Sequence, residues 1–186
     1  GLRDNAPAVV LGPGDYRLTG KVPRRSPRYK TPAKILPSKN GFSVGAERWG
    51  SSVTIEPAER NGVVVINNRP FRGAIELERQ GAGIRIVNRL SVEDYVRGVL
   101  QMETSDKWPA QALQAQAVIS HTYALRNRGR HGRAGYDFCS QPHCQTYGGA
   151  SAERQATDAA VKRTKGEVLV DRKKRLVSTV YHSCCG

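Results

Sequence analysis

At Ser91 the spacing of the apolar residues changes, and with it the kind of structure the chain can form. Before that point, short runs rich in β-branched and aromatic residues alternate with turn-forming pairs. The segments 9–11, 16–18, 53–55, 63–66, 71–77 and 84–87 fit strands. Between them fall Gly12-Pro13-Gly14-Asp15, Asn61-Gly62, Asn67-Asn68 and Gly81-Ala82-Gly83, which carry turn chemistry. The stretch 24–37, with Pro27, Pro32, Pro37 and many basic residues, is predicted to be an exposed loop. After Ser91 the apolar residues Val92, Tyr95, Val96, Val99 and Leu100 recur at i, i+3, i+4, i+7 and i+8, one face of a helix.

Three helices are expected beyond the switch. The first runs from 92 to about 102, with Ser91 and Asp94 placed as in a capping box. The second opens at Pro109, a favoured first helical residue, and ends before Gly129. Its Ala/Gln-rich sequence allows close helix contact, so it should be central. The third covers 153–162. Segments 167–171 and 176–181 then read as a hairpin around Arg172-Lys173-Lys174. The fold class is therefore α+β: a β-rich N-terminal half, a helical core and a C-terminal hairpin. At 186 residues, one domain with a smaller lobe is expected. The division is placed at a β-rich lobe over 1–70 and a main domain over 71–186. No apolar run approaches the ~20 residues of a membrane span. The chain opens at Gly1-Leu2 and reads as a mature or excised piece.

Thirty basic against 16 acidic residues give a net charge of +14. Such a surplus favours a polyanionic partner: nucleic acid, an anionic membrane or an acidic wall polymer. The basic residues cluster locally at Arg24-Arg25, 126–133 and 172–175. Each cluster also fits a plain solvated face. Nucleic-acid modules interleave aromatics or carry a recognition motif. No such motif is present and aromatics are 6% of the chain, so no nucleic acid is expected as partner.

Glu103 stands at i+11 of the first helix's apolar series. Eleven steps of about 100° return almost to the starting direction. A lone carboxylate is thus predicted at the C-terminal end of a buried face. Desolvation and the negative helix end both favour its protonated form, which a general acid requires. The plainer reading ends the helix near Leu100 and leaves Glu103 in an exposed loop.

The four cysteines all come late, at 139, 144, 184 and 185. Together with His131 and His143, Cys139 and Cys144 would make a closed tetrahedral zinc site. A Cys139–Cys144 disulfide, or pairings that involve Cys184 or Cys185, are the alternatives.

A run of ordered motifs resembles the SpoIID/LytB family, the stage II sporulation protein D group. Phe71-Arg72-Gly73 resembles its strand start. The run from Leu90 to Val99 resembles its Leu-x-x-Glu-x-Tyr-Leu-x-Gly-Val helix. Glu103, followed by Trp108-Pro109, matches its Glu-Met-Pro glutamate. Leu113-Gln-Ala-Gln-Ala-Val, Thr122-Tyr-Ala-Leu, Gln145-Thr-Tyr147-Gly-Gly and Tyr181-His-Ser-Cys-Cys-Gly186 match later motifs. The resemblance covers roughly 71–186. Two departures stand out: Thr104-Ser105 replaces Met-Pro, and His121 replaces the second helix's arginine. The last motif breaks off at Gly186, where the family continues, so a C-terminal piece is expected to be missing.

The resemblance implies a peptidoglycan lytic transglycosylase. Such an enzyme cleaves the bond between N-acetylmuramic acid and N-acetylglucosamine and leaves a 1,6-anhydro sugar. It implies Glu103 as the single acid/base, with Gln145, Tyr147 and His121 as candidate substrate contacts. No cofactor is required for the chemistry, and zinc would be structural. Glycan strands are the expected partner, with other cell-wall hydrolases as further partners, and an extracytoplasmic location follows. The alternative function is a non-catalytic wall-binding modifier of an N-acetylmuramoyl-L-alanine amidase.

Overall fold

The computed structural model describes residues 1–20 and 28–180. The chain divides into two compact units, one over 1–91 with 149–151, the other over 92–148 with 152–186. It is an α+β protein, as the change of period at Ser91 predicts. The break between units follows that switch instead of the 70/71 division, because the strands of 74–89 complete a sheet of the first unit.

The first unit contains two antiparallel six-stranded sheets. One has β1 (Arg3–Ala6), β12 (Gly83–Arg89), β11 (Ala74–Gln80), β8 (Ser52–Pro57), β3 (Asp15–Gly20) and β4 (Arg28–Lys30), in that spatial order. The other has β10 (Arg69–Phe71), β9 (Val64–Ile66), β2 (Val9–Leu11), β5 (Ala33–Ser38), β6 (Gly41–Val44) and β7 (Glu47–Trp49). Each sheet buries one face, with Leu18, Val53, Ile55, Leu77 and Ile84 from one and Val9, Leu11, Ile35 and Phe42 from the other fully covered. Alternation of inward apolar and outward polar residues produces this packing.

The turn chemistry lies where the sequence places it. Asn67 and Asn68 take φ of 50° and 63°, as a type I′ hairpin requires between β9 and β10. The 71–77 segment is not one strand. Gly73 has φ +70°, and a Cβ there would lie 2.3 Å from the Arg89 carbonyl oxygen. The chain crosses from one sheet to the other at that point, so Phe71 and Ala74 belong to different sheets. The expected loop over 24–37 is largely strand: β4 pairs with β3, and β5 pairs with β2 and β6. Register with β2 stops at Ile35, so Pro37 has a ladder partner on one side only, where proline is tolerated. Arg24 and Arg25 lie outside the described residues.

The second unit packs three helices: α1 (Val92–Glu103), α2 (Ala110–Arg126) and α3 (Gln155–Arg163). Pro109 is the N-cap of α2 and not its first residue. Ala117, Ser120 and Ala124 are buried on α2, so small side chains do let its neighbours approach. Arg97 of α1 pairs with Glu153 at 2.7 Å and with Asp158 of α3, which ties these helices together. The C-terminal hairpin is reduced to one bridge, Val170 to Leu176, closed by Asp171 N–H to the Arg175 carbonyl at 2.9 Å. The Thr122 hydroxyl holds it to α2 by accepting the Leu169 N–H at 2.9 Å. Among the described residues no helix is long and apolar enough to cross a membrane.

Candidate active site and metal cluster

The apolar stripe of α1 buries Tyr95, Val96, Val99 and Leu100, and the helix continues to Glu103, its last residue. The plainer expectation of a helix ending near Leu100 is therefore not met. Glu103 is half-buried, and its Oε1 accepts the Thr146 backbone N–H at 2.9 Å. Among the described residues the carboxylate has no other hydrogen bond and no ion pair. One oxygen is thus held, and the other has no hydrogen-bond partner among the described residues. No basic residue occupies the last turn of α1.

The donor strand is fixed by a second contact. Gly148 N–H donates to the Gly98 carbonyl at 2.9 Å, so 146–148 runs beside the C-terminal half of α1. Close approach demands glycine at 148. A Cβ there would lie 2.6 Å from Ala152 Cβ and 3.0 Å from Met102 Sδ. The Gly148→Ala variant should lose about 1–3 kcal/mol of stability through overpacking. Urea unfolding of the two proteins measures it, and an unchanged midpoint would refute the tight contact.

Aromatic rings anchor the same segment. Tyr95 of α1 stacks between Phe138 and Tyr147, each at 5.4 Å between centroids. Two of the candidate substrate contacts lie in this segment. Tyr147 is 6% exposed and Gln145 is 2% exposed, so both side chains are largely buried. They shape the loop that carries the Thr146 N–H.

His121 lies on α2. It is 2% exposed, and neither ring nitrogen has a hydrogen-bond partner among the described residues. Burial lowers its pKa, opposed by the charges of Glu93 and Glu167. Glu93 opens α1 and Glu103 closes it, about 15 Å away along the axis. The carboxylates that act on His121 are thus Glu93, in the first turn of α1, and Glu167. The folded pKa of His121 lies below the ordinary value of 6.5, so the unfolded chain binds the proton first as pH falls. Stability should drop from pH 6.5 downward, at up to about 1.4 kcal/mol per pH unit while only the unfolded state is charged. The difference in unfolding free energy between wild type and His121→Leu, followed from pH 7.5 to 5, should show this slope. A flat difference would contradict it.

The loop before Thr146 collects the four expected metal ligands. The donor atoms of His131, Cys139, His143 and Cys144 all lie within 4.8 Å of one another. His131 Nε2 is 3.3 Å from Cys144 Sγ, and His143 Nδ1 is 3.7 Å from Cys144 Sγ and 3.8 Å from Cys139 Sγ. A tetrahedron with ordinary zinc–sulfur and zinc–nitrogen bonds has edges of about 3.3–3.8 Å; the three sulfur–nitrogen distances lie in that range, and the widest pair, within 4.8 Å, would close by about 1 Å around the ion. Burial raises the Cys144 thiol, a penalty that a bound cation reverses. Arg130 donates to His143 Nε2 at 3.3 Å. Metal on Nδ1 would place the ring proton on Nε2, so exposed Arg130 would release that contact. Among the described residues Cys139 and Cys144 are free cysteines, with no disulfide between them in this structure. Cys184, Cys185 and the motif at 181–186 lie outside the described residues.

Sequence reasoning missed Thr146, whose contribution is a backbone N–H without a side-chain signature. Its only clue is its place inside the Gln145-Thr-Tyr147 motif.

Comparison with known proteins agrees with the motifs. Residues 80–170 match the family model SpoIID, stage II sporulation protein. That segment contains Glu103, the four-ligand cluster and Thr146. The chain is 28% identical over 181 residues to an uncharacterized protein of Brachyspira hyodysenteriae, covering 92% of this chain and 49% of that protein. It is 26% identical over 134 residues to an uncharacterized protein of Chlamydia muridarum, covering 67% and 46% respectively. The chain spans about half the length of these curated relatives. No solved structure matches it significantly.

Proposed function

From the SpoIID match over residues 80–170, with its cell-wall-related role, we propose that this chain cleaves peptidoglycan glycan strands as a lytic transglycosylase. The observation that carries the reading is the half-held Glu103 carboxyl. Its free oxygen donates a proton to the glycosidic oxygen as the bond from muramic acid C1 breaks. The C6 hydroxyl of the same sugar then attacks C1 and closes the 1,6-anhydro ring. Its proton returns to Glu103, so no water and no net proton are consumed. Water-using glycosidases need a second carboxyl, whereas here one residue serves as acid and then base. His131, Cys139, His143 and Cys144 hold a structural zinc that braces the loop bearing Thr146 and takes no part in the proton transfers. The protein works outside the cytoplasm, where its substrate is, and its net charge of +14 favours anionic wall polymer.

A second reading draws on Thr104, Ser105 and His121 at positions where the family pattern differs. In it the chain binds wall and modifies an amidase without cutting glycan. Mass spectrometry of glycan strands after incubation separates the two. Anhydro products that require Glu103 support the enzyme, and binding without products supports the modifier.

A further inference from the structure

We propose that Trp108 is the sugar-stacking platform of the Glu103 site, its indole face lying against a pyranose ring next to the bond that Glu103 acts on. The assignment rests on the glycan-cleaving reading of Glu103. Trp108 is 48% exposed, whereas Trp49, the other tryptophan, is 3% exposed. Among the described residues Trp108 is the only aromatic of the exposed large apolar side chains, and its ring makes no ring contact. A single exposed apolar residue is ordinary. This one has a neighbour: Met102, next to Glu103, is also 48% exposed. Two half-exposed apolar side chains therefore bracket Glu103 along the chain, one residue before it and five after.

The link that carries the indole is ordered by its own hydrogen bonds. The Thr104 hydroxyl donates to the Leu100 carbonyl at 2.6 Å and so finishes α1. The Ser105 hydroxyl accepts the Lys107 N–H at 3.3 Å, and its carbonyl accepts the Trp108 N–H at 3.0 Å. Pro109 then caps α2. Five residues of chain reach at most about 17 Å, and this turn shortens the span. Trp108 therefore stands within a short oligosaccharide of Glu103. An indole suits this task, since its face packs on the C–H side of a sugar ring and its Nε1–H can donate to a hydroxyl.

The test uses the Glu103→Gln chain, titrated with a tetrasaccharide of alternating N-acetylglucosamine and N-acetylmuramic acid. Intrinsic fluorescence should change saturably, and the change should survive Trp49→Phe. In calorimetry, Trp108→Ala should weaken binding roughly five- to tenfold, the scale of one aromatic stacking contact, with Trp108→Phe in between. The melting temperature of Trp108→Ala should stay near that of its parent, which separates a contact role from a structural one. Binding without a fluorescence change and with unaltered affinity in Trp108→Ala overturns the proposal, as does absence of saturable binding. If wild type binds and yields no anhydro product while the Trp108 effects persist, the acid/base reading of Glu103 fails and the platform stands.

Discussion

Replacing Glu103 with Gln should abolish formation of 1,6-anhydro products, with a fall in rate of at least about a thousandfold. The magnitude follows from the role. General acid–base assistance contributes about 10²–10⁴-fold, and here one group is used in both halves of the reaction. Gln is the informative replacement because it preserves shape and can still accept the Thr146 N–H through its carbonyl oxygen. What it lacks is a transferable proton. Fold and binding should therefore survive while turnover is lost. Asp106, the next carboxylate along the chain and exposed in the link, is the control. Asp106→Asn should retain product formation, since it is not needed to activate water. Mass spectrometry of the soluble fragments reads both results. Anhydro products at the wild-type rate from Glu103→Gln would sink the mechanism. Reducing ends without anhydro sugar from wild type would point to hydrolysis and a second carboxyl.

The legibility of this site in the sequence was uneven for physical reasons. Glu103 was readable because helical periodicity is local: an apolar stripe fixes a direction, and eleven residues on the direction recurs. The His/Cys cluster was readable because its four residues lie within 131–144, so a single folded loop can gather them. Gln145, Tyr147 and His121 lie in the segments that the motifs mark, and all three side chains are buried. Their inward orientation depends on long-range neighbours such as Tyr95, Phe138 and Glu93, which residue type does not encode. Thr146 acts through its backbone, and any residue except proline could occupy that role. In the first unit, Asn67-Asn68 announced its hairpin through the φ values the turn demands. The strands β4 to β7 did not announce themselves. Most are short, β5 carries Pro37, and pairing selects them where propensity does not: β4 with β3, β5 with β2, β6 with β5 and β7 with β6.

One equivalent of zinc should bind tightly to the reduced protein, and its removal should lower the melting temperature by roughly 8–16 °C. The size is set by linkage. A ligand at a thousand times its dissociation constant stabilises the native state by about 4 kcal/mol, and each kcal/mol moves a chain of this length by about 2–4 °C. The cause is local. Without a cation, the buried Cys144 thiol, Cys139 and two imidazoles crowd within 4.8 Å with few hydrogen bonds to hold them. With it, 131–144 becomes a closed ring of ligands, and the segment that reaches Thr146 two residues later is held against α1. The variant Cys144→Ala should abolish stoichiometric binding and reproduce the low melting temperature without chelator. A background with Cys184→Ser and Cys185→Ser keeps the assay on the two described thiols. Metal analysis and thiol titration then give distinct answers. One zinc, with two thiols that react only after chelation, supports the site. No zinc and two thiols that react only after reduction identify a Cys139–Cys144 disulfide. A full metal content with no change in melting temperature on chelation would mean that the ion does not brace the loop, and the link from cluster to Thr146 to Glu103 would be broken.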